Sequence, residues 1–413
     1  MKIISSLPGL VFALLMLTAT AREIPQVTPA EAGLSETKLA EVDQFMEKAV
    51  AGQKIAGGVV IISHDGKIGF FHTYGLMDRE AKKPMSPDTI FRIYSMSKAI
   101  TTAAALTLYD AGKLGLDDPV SKYIPAFTNA MVATTNGLRA PARAVTLRDL
   151  MVHTSGLTYG DGPDALKETY KRLKPLESTN LAEMTEKLSQ VPLAFDPGTD
   201  WTYGTGIDVL GRVIEVISGK NLDEFLAETI FQPLDMSDTG FSVPPEKLGR
   251  FAANYTRTNA TLKVIDAPAE SKYAKPATLF SGGGGLVSTA RDYLRFLAMI
   301  ERGGILDGHR ILRDQTVRLM TSNQLPDQAF PIYFGKEKHH GTGYGLGFSV
   351  RTEITDWDPA GHVGEYGWGG AASTHYWSSP ADKLIVVTLE QIMPYESDTE
   401  FGTKKIIYDA IQK

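Results

Sequence analysis

The chain has 413 residues, 43% hydrophobic and 22% charged, with a formal net charge of -6 and no cysteine. That length can bury a large core, while the mild acidity lacks the basic stripe that neutralises phosphates and argues against nucleic acid as a partner. The missing thiols exclude cysteine nucleophiles, disulfides and cysteine-ligated zinc, and a small molecule is the expected partner.

At the start of the chain, Lys2, an apolar run over residues 10–17 and the small-x-small pattern Ala19-Thr20-Ala21 together predict a cleavable signal peptide over 1–21. Pro8 and Gly9 leave the run short of the ~20 residues that span a bilayer, which disfavours the rival reading of an uncleaved anchor. The mature chain is therefore expected to be secreted or periplasmic, with no stable membrane anchor after cleavage.

Ser35 is a plausible N-cap for an amphipathic helix carrying Leu39, Val42, Phe45, Met46 and Val50. Two apolar strands are predicted over 58–63 and 67–74, joined by His64-Asp65-Gly66; Asp-Gly suits a tight hairpin turn, so the two should be antiparallel neighbours. Residues 95–112 read as a helix apolar nearly all round, which points to burial at the centre of the molecule. From there to about residue 279, helical patterns alternate with loops rich in Pro, Gly and Thr; one clear helix covers 207–218, with Gly219 as its stop. The glycine run 281–285 is not followed by the lysine and hydroxyl pair of a phosphate loop, so it argues against nucleotide binding. A helix over 290–303 follows, then strands over 345–352, 369–377 and 384–389, and a last helix over 399–411. Strands at both ends with helices between them predict an α+β chain. Its antiparallel sheet would come from residues 22–100 and 280–413, its helical domain from 101–279, and the active site would lie at their junction.

No G-x-S-x-G or H-E-x-x-H pattern occurs, which disfavours a Ser-His-Asp elbow and a zinc site. What remains is Ser-x-x-Lys, weak alone and present twice: at Ser35 to Lys38, which opens a surface-type helix, and at Ser95 to Lys98. The second pair sits where the buried helix begins. Unpaired N–H groups and a partial positive charge there favour an alkoxide-like nucleophile and an oxyanion. Spacing of i to i+3 puts the Lys98 amine on the same face, and burial would cost too much for a lysine without a role.

Together with Leu150-Met151-Val152-His153-Thr154-Ser155-Gly156-Leu157, Pro197-Gly198-Thr199-Asp200-Trp201-Thr202-Tyr203, the run 281–286 and Trp368-Gly369-Gly370, this chain resembles the serine beta-lactamase and penicillin-binding-protein superfamily. Within it, the match is to the class C-like branch that includes the family VIII carboxylesterases. The resemblance implies a beta-lactamase/transpeptidase-like fold, catalytic Ser95, Lys98 and Tyr203, an oxyanion hole from the backbone N–H groups of Ser95 and Ala371, and no cofactor or metal. Alone, a tyrosine after a Pro-Gly turn is more often core filler; its place in the motif series makes Tyr203 the candidate that shares a proton with Lys98 and Ser95. His153 is expected to be structural.

Two departures narrow the substrate. Thr205 stands where relatives carry Asn or Ser, removing a carboxamide that would grip a substrate amide. Trp368 replaces the cation that pairs with the carboxylate of beta-lactams and peptide C-termini, and an indole offers only an N–H and an apolar face. An uncharged acyl ester fits better, with Trp368, Gly369, Gly370, Tyr94, Thr205, Tyr159 and Tyr366 as candidate substrate-binding residues. Hydrolysis of beta-lactams or D,D-peptides is the alternative reading, and an inactive binding protein on the same scaffold is a third.

Overall fold

A computed structural model describes residues 23–334 and 337–412, so the signal-peptide expectation for 1–21 lies outside the described residues. After helix α1 (Glu36–Ala51) come strands β1 (Gly57–His64) and β2 (Lys67–Asp78), then the two-residue β3 (Lys83–Pro84). The centre of the chain is mainly helical, beginning with α2 (Ser97–Asp110) and including α3 (Gly206–Ser218). Helix α4 (Ala290–Glu301) leads to β4 (Thr342–Tyr344), β5 (Ser349–Arg351), β6 (Tyr366–Gly370), β7 (Thr374–Ser379), β8 (Leu384–Glu390) and the C-terminal α5 (Asp398–Ala410).

These eight strands form one antiparallel sheet in the order β4-β5-β6-β7-β8-β1-β2-β3. The fold is the expected beta-lactamase/transpeptidase-like α+β arrangement. Side chains alternate across a strand, and β1 uses both faces: Val59 and Ile61 pack with α2 and α4, whereas Val60 and Ile62 join Leu39, Val42 and Met46 of α1 and Ile407 of α5. Burial on both sides explains why β1 and β8 read as continuous apolar runs. Asp65 and Gly66 at the β1–β2 turn have φ of 47° and 75°, the positive pair that Asp-Gly supplies.

Helix boundaries differ from expectation by a few residues, and two strands differ in kind. Residues 369–377 are not one strand: β6 ends at Gly370, Ser373 turns at φ 60°, and β7 begins at Thr374. The expected strand 345–352 is instead the turn of a hairpin and its second strand: the chain turns between Tyr344 and Ser349, and only Ser349–Arg351 is extended there. Small residues at the first turn and Gly345 and Gly347 at the second make these bends without a Pro-Gly or Asn-Gly pair.

Candidate active site

The chain enters the site through Phe91–Arg92, a short strand paired with Val287–Ser288. Arg92 is fully buried and anchors this segment: Nε donates to Asp266 (2.6 Å), Nη1 to the Ala252 carbonyl (2.6 Å), and the guanidinium lies 4.0 Å from the Phe251 ring centroid. Ser95 lies in a 3-10 turn, Tyr94–Met96, that precedes α2 rather than in the α-helix itself. Tyr94 has φ 39°, a backbone state that costs a bulky residue on the order of 1–3 kcal/mol and persists only when its surroundings enforce it. The Tyr293 hydroxyl, which donates to the Met96 carbonyl at 2.9 Å, is part of that enforcement.

Lys98 is fully enclosed in the first turn of α2. Its amine donates to Ser95 Oγ (3.2 Å), to the Tyr159 hydroxyl (3.2 Å) and to the Gly283 carbonyl (2.5 Å). The expected Ser95–Lys98 pairing is therefore present. Tyr203 reaches the amine with its ring, whose centroid is 4.6 Å from Nζ, while its hydroxyl accepts from Trp368 Nε1 at 3.2 Å. The phenol bonded to the lysine is that of Tyr159. Burial, reinforced by Tyr203 and Asp208, holds the Tyr159 hydroxyl well above the usual phenol range, so it stays protonated.

His153 packs against Tyr203 (4.8 Å between ring centroids), Tyr344 (5.1 Å) and Trp201 (5.9 Å), with neither ring nitrogen hydrogen-bonded within the chain. Desolvation, with the Lys98 charge adding to it, lowers its pKa well below that of a free imidazole. It is a neutral packing residue whose carbonyl accepts from Thr202 N (3.0 Å), so the loop it belongs to steadies the segment that delivers Tyr203.

An open groove of about 960 Å³ runs from Ser95 and Tyr203 along Trp368, Gly369, Gly370 and Ala371. β5 pairs with β6 only at Tyr366 and Gly367, which leaves the rest of that flank of β6 facing the groove. Its aromatic wall continues outward: Trp368 to Phe334 (5.5 Å between centroids), Phe334 to His339 (4.8 Å), His339 to Trp357 (5.3 Å) and Trp357 to Phe401 (5.9 Å). Phe334, His339, Trp357 and Phe401 were not among the expected site residues: the first two meet across a short hairpin of Ile332–Phe334 with Glu337–His339, and Phe401 is brought to Trp357 from the C-terminal helix α5.

Of the expected pocket residues, three lie elsewhere: Tyr159, whose hydroxyl is held on the Lys98 amine, Tyr94 and Thr205. Tyr94 turns its ring toward Tyr273 (6.5 Å, edge-on) and its hydroxyl toward Asn254, because the positive φ swings it away from the groove. Thr205 is fully buried, with Oγ1 directed to the Thr158 carbonyl (3.4 Å). Tyr366 touches the groove but is 2% exposed and packs on Phe348. Asp208, on the first turn of α3, was also missed; it accepts from Ser281 Oγ and Gly283 N, directly behind Lys98. An acid among the apolar residues of the helix's first two turns, Ile207, Val209 and Leu210, is the signal that could have found it.

A family model described as Beta-lactamase matches residues 42–407. The chain is 33% identical over 379 residues to "Esterase EstB" of Burkholderia gladioli, covering 85% of this chain and 89% of the relative. It is 34% identical over 354 residues to "Protein Rv1367c" of Mycobacterium tuberculosis, covering 82% and 86%. Among solved structures, "EstCE1, a hydrolase with promiscuous acyltransferase activity" superposes with a TM-score of 0.77 at 28% identity, covering 90% of this chain and 99% of that one.

Proposed function

The chain belongs to the beta-lactamase family and is a serine hydrolase; from that premise we propose that it cleaves uncharged carboxylic esters through an acyl intermediate on Ser95. The observation that carries this reading is the 3.2 Å contact between a groove-lining serine hydroxyl and an enclosed lysine amine. Ser95 Oγ attacks the ester carbonyl as its proton passes to the Lys98–Tyr203 pair, and the same proton leaves on the alcohol. Backbone N–H groups of Ser95 and Ala371 would stabilise the oxyanion. Water then adds to the acyl carbon, releases the acid and restores the serine hydroxyl.

The indole at Trp368 favours esters over beta-lactams and D,D-peptides, since it neither pairs with a carboxylate nor leaves its N–H free: that N–H is spent on Tyr203. EstB is named an esterase, which supports the same choice. Export of the mature chain, proposed from residues 1–21, would put the activity outside the cytoplasm. The test compares turnover of short p-nitrophenyl esters with that of nitrocefin. A preference for the esters of at least about tenfold in kcat/KM is expected, and a preference for nitrocefin would reverse the assignment.

A further inference from the structure

Lys98 is a wholly buried amine, yet among the described residues no carboxylate forms an ion pair with it. A buried ammonium without compensation is costly, so the surrounding groups have to account for it. Its shortest contact is the Gly283 carbonyl, on the glycine run that has no phosphate-binding signature.

That run is fastened on both sides. Toward α2, Thr101 Oγ1 donates to the Gly282 carbonyl (2.9 Å) and Leu286 N donates to Ser97 Oγ (3.1 Å). Toward α3, Asp208 Oδ1 accepts from Ser281 Oγ (2.5 Å) and from Gly283 N (3.0 Å). Gly283 is thus held by a carboxylate at its N–H, and its carbonyl, in the next peptide unit, receives the lysine. The packing leaves no room for a side chain: a Cβ on Gly283 would lie 2.5 Å from Asp208 Oδ2, and one on Gly282 2.9 Å from the Ile207 carbonyl oxygen and from Thr101 Cγ2. The glycines are there because two helices and a carboxylate close on them.

We propose that Asp208 is a positioning residue for Lys98: its carboxylate fixes the turn 281–283 so that the Gly283 carbonyl faces the amine, and it supplies a negative charge close behind that peptide. The inference rests on the reading of Ser95 and Lys98 given above. Asp208 is 1% exposed. Burial pushes its carboxyl up from the ordinary range, and the Ser281 hydroxyl, the Lys98 charge and the Gly283 N–H pull it back. The other titratable groups around this pair are Tyr159, Tyr170, Tyr203 and His153; the first two feel the Asp208 charge and the last feels Lys98. None of them brings a second carboxylate to the amine.

The test is the pH profile of kcat/KM for a p-nitrophenyl ester with Asp208→Asn, which keeps the acceptor oxygen and removes the charge. Loss of a negative charge beside a cation makes every nearby proton easier to release. The limbs that report the reacting groups should therefore move to lower pH, by on the order of one unit, with kcat reduced and KM little changed. A profile that superimposes on the parent's, whatever its height, would overturn the proposal. Ser281→Ala supplies a second reading if Asp208→Asn does not fold: it keeps the charge and removes one bond, so kcat should fall by about three- to tenfold with the limbs unmoved, and an unchanged kcat counts against the proposal. Ser95→Ala separates the two claims. If fluorophosphonate labelling survives in that variant, the reading of the nucleophile has failed; if labelling is lost and the Asp208→Asn limbs stay put, only the role of Asp208 has.

Discussion

In the mechanism we propose, Ser95, Lys98 and Tyr203 handle one proton and Tyr159 holds the lysine amine, and their surroundings support that division. Because the Tyr159 hydroxyl is held far up by burial, it serves to hold the amine rather than to take a proton from Ser95. Tyr203, half-buried at the groove with its ring 4.6 Å from the Lys98 amine and its hydroxyl bonded to Trp368, is the relay we propose. Tyr203→Phe should accordingly lower kcat by about 100-fold or more, and Tyr159→Phe by about tenfold; steady-state kinetics on both variants checks the order, and a larger loss at Tyr159 would exchange their roles. The Ser95–Lys98 pairing was legible because i to i+3 spacing at a helix start brings the two together, and the later motifs singled it out from Ser35–Lys38. The lysine's second phenol was not, since Tyr159 lies 61 residues away and nothing in its local sequence marks which of several tyrosines will turn inward.

At the scale of elements, the strand β6 and the turn carrying Ser95 press together at glycine. A Cβ at Gly370 would strike the Ile93 carbonyl oxygen, so Gly370→Ala should push Ala371 away from Ser95 and lower kcat/KM by about tenfold or more, with the melting temperature showing how much is due to lost stability. β8 carries a different liability. Glu390 is 1% exposed, with Oε1 lacking a hydrogen-bond partner, and burial, reinforced by the charges of Glu396, Asp398 and Glu400, pushes its pKa up to about 8 from 4.5. A carboxyl that binds its proton more tightly when folded contributes stability that is complete below about pH 4.5 and is lost as pH rises through about 8. Glu390→Gln should remove that loss, on the order of a few kcal/mol, and denaturant melts at pH 5 and pH 8 would read it; an identical pH dependence in both proteins would contradict the assignment.

The same scale shows why some elements were readable. β1, β2, α1 and the helix 206–218 each announce themselves by periodicity and by a cap or turn residue: Ser35 Oγ does accept from Lys38 N (3.3 Å), and Gly219 does stop its helix at φ 72°. The hairpin of β6 and β7 hid inside one apolar stretch because its bend, at Ala371 to Ser373, uses residues that propensity does not distinguish from strand. The order of the sheet was legible only in outline, since register and neighbours depend on contacts between the two ends of the chain.

For the molecule as a whole, the C-terminal helix closes the far end of the groove. Lys404 on α5 bonds Asp358 (2.8 Å) and Glu365, which also face Arg351, and all four side chains are nearly inaccessible. Lys404→Ala would leave Arg351 as the one cation against two buried carboxylates and should cost about 3–5 kcal/mol; urea melts check the size. Its kinetic consequence should be larger for bulky esters that reach Trp357 and Phe401 than for acetates. With no cysteine in the sequence, the melting temperature should be indifferent to reductant, and a shift on adding a thiol would contradict a core held by packing alone.

The central claim is that the acyl group passes through Ser95. Intact mass and peptide mapping after brief incubation with a p-nitrophenyl ester, quenched in acid, should find one acyl group per chain on the peptide containing Ser95 and none in Ser95→Ala. Turnover that continues in that variant, or an adduct on any other residue, would contradict it.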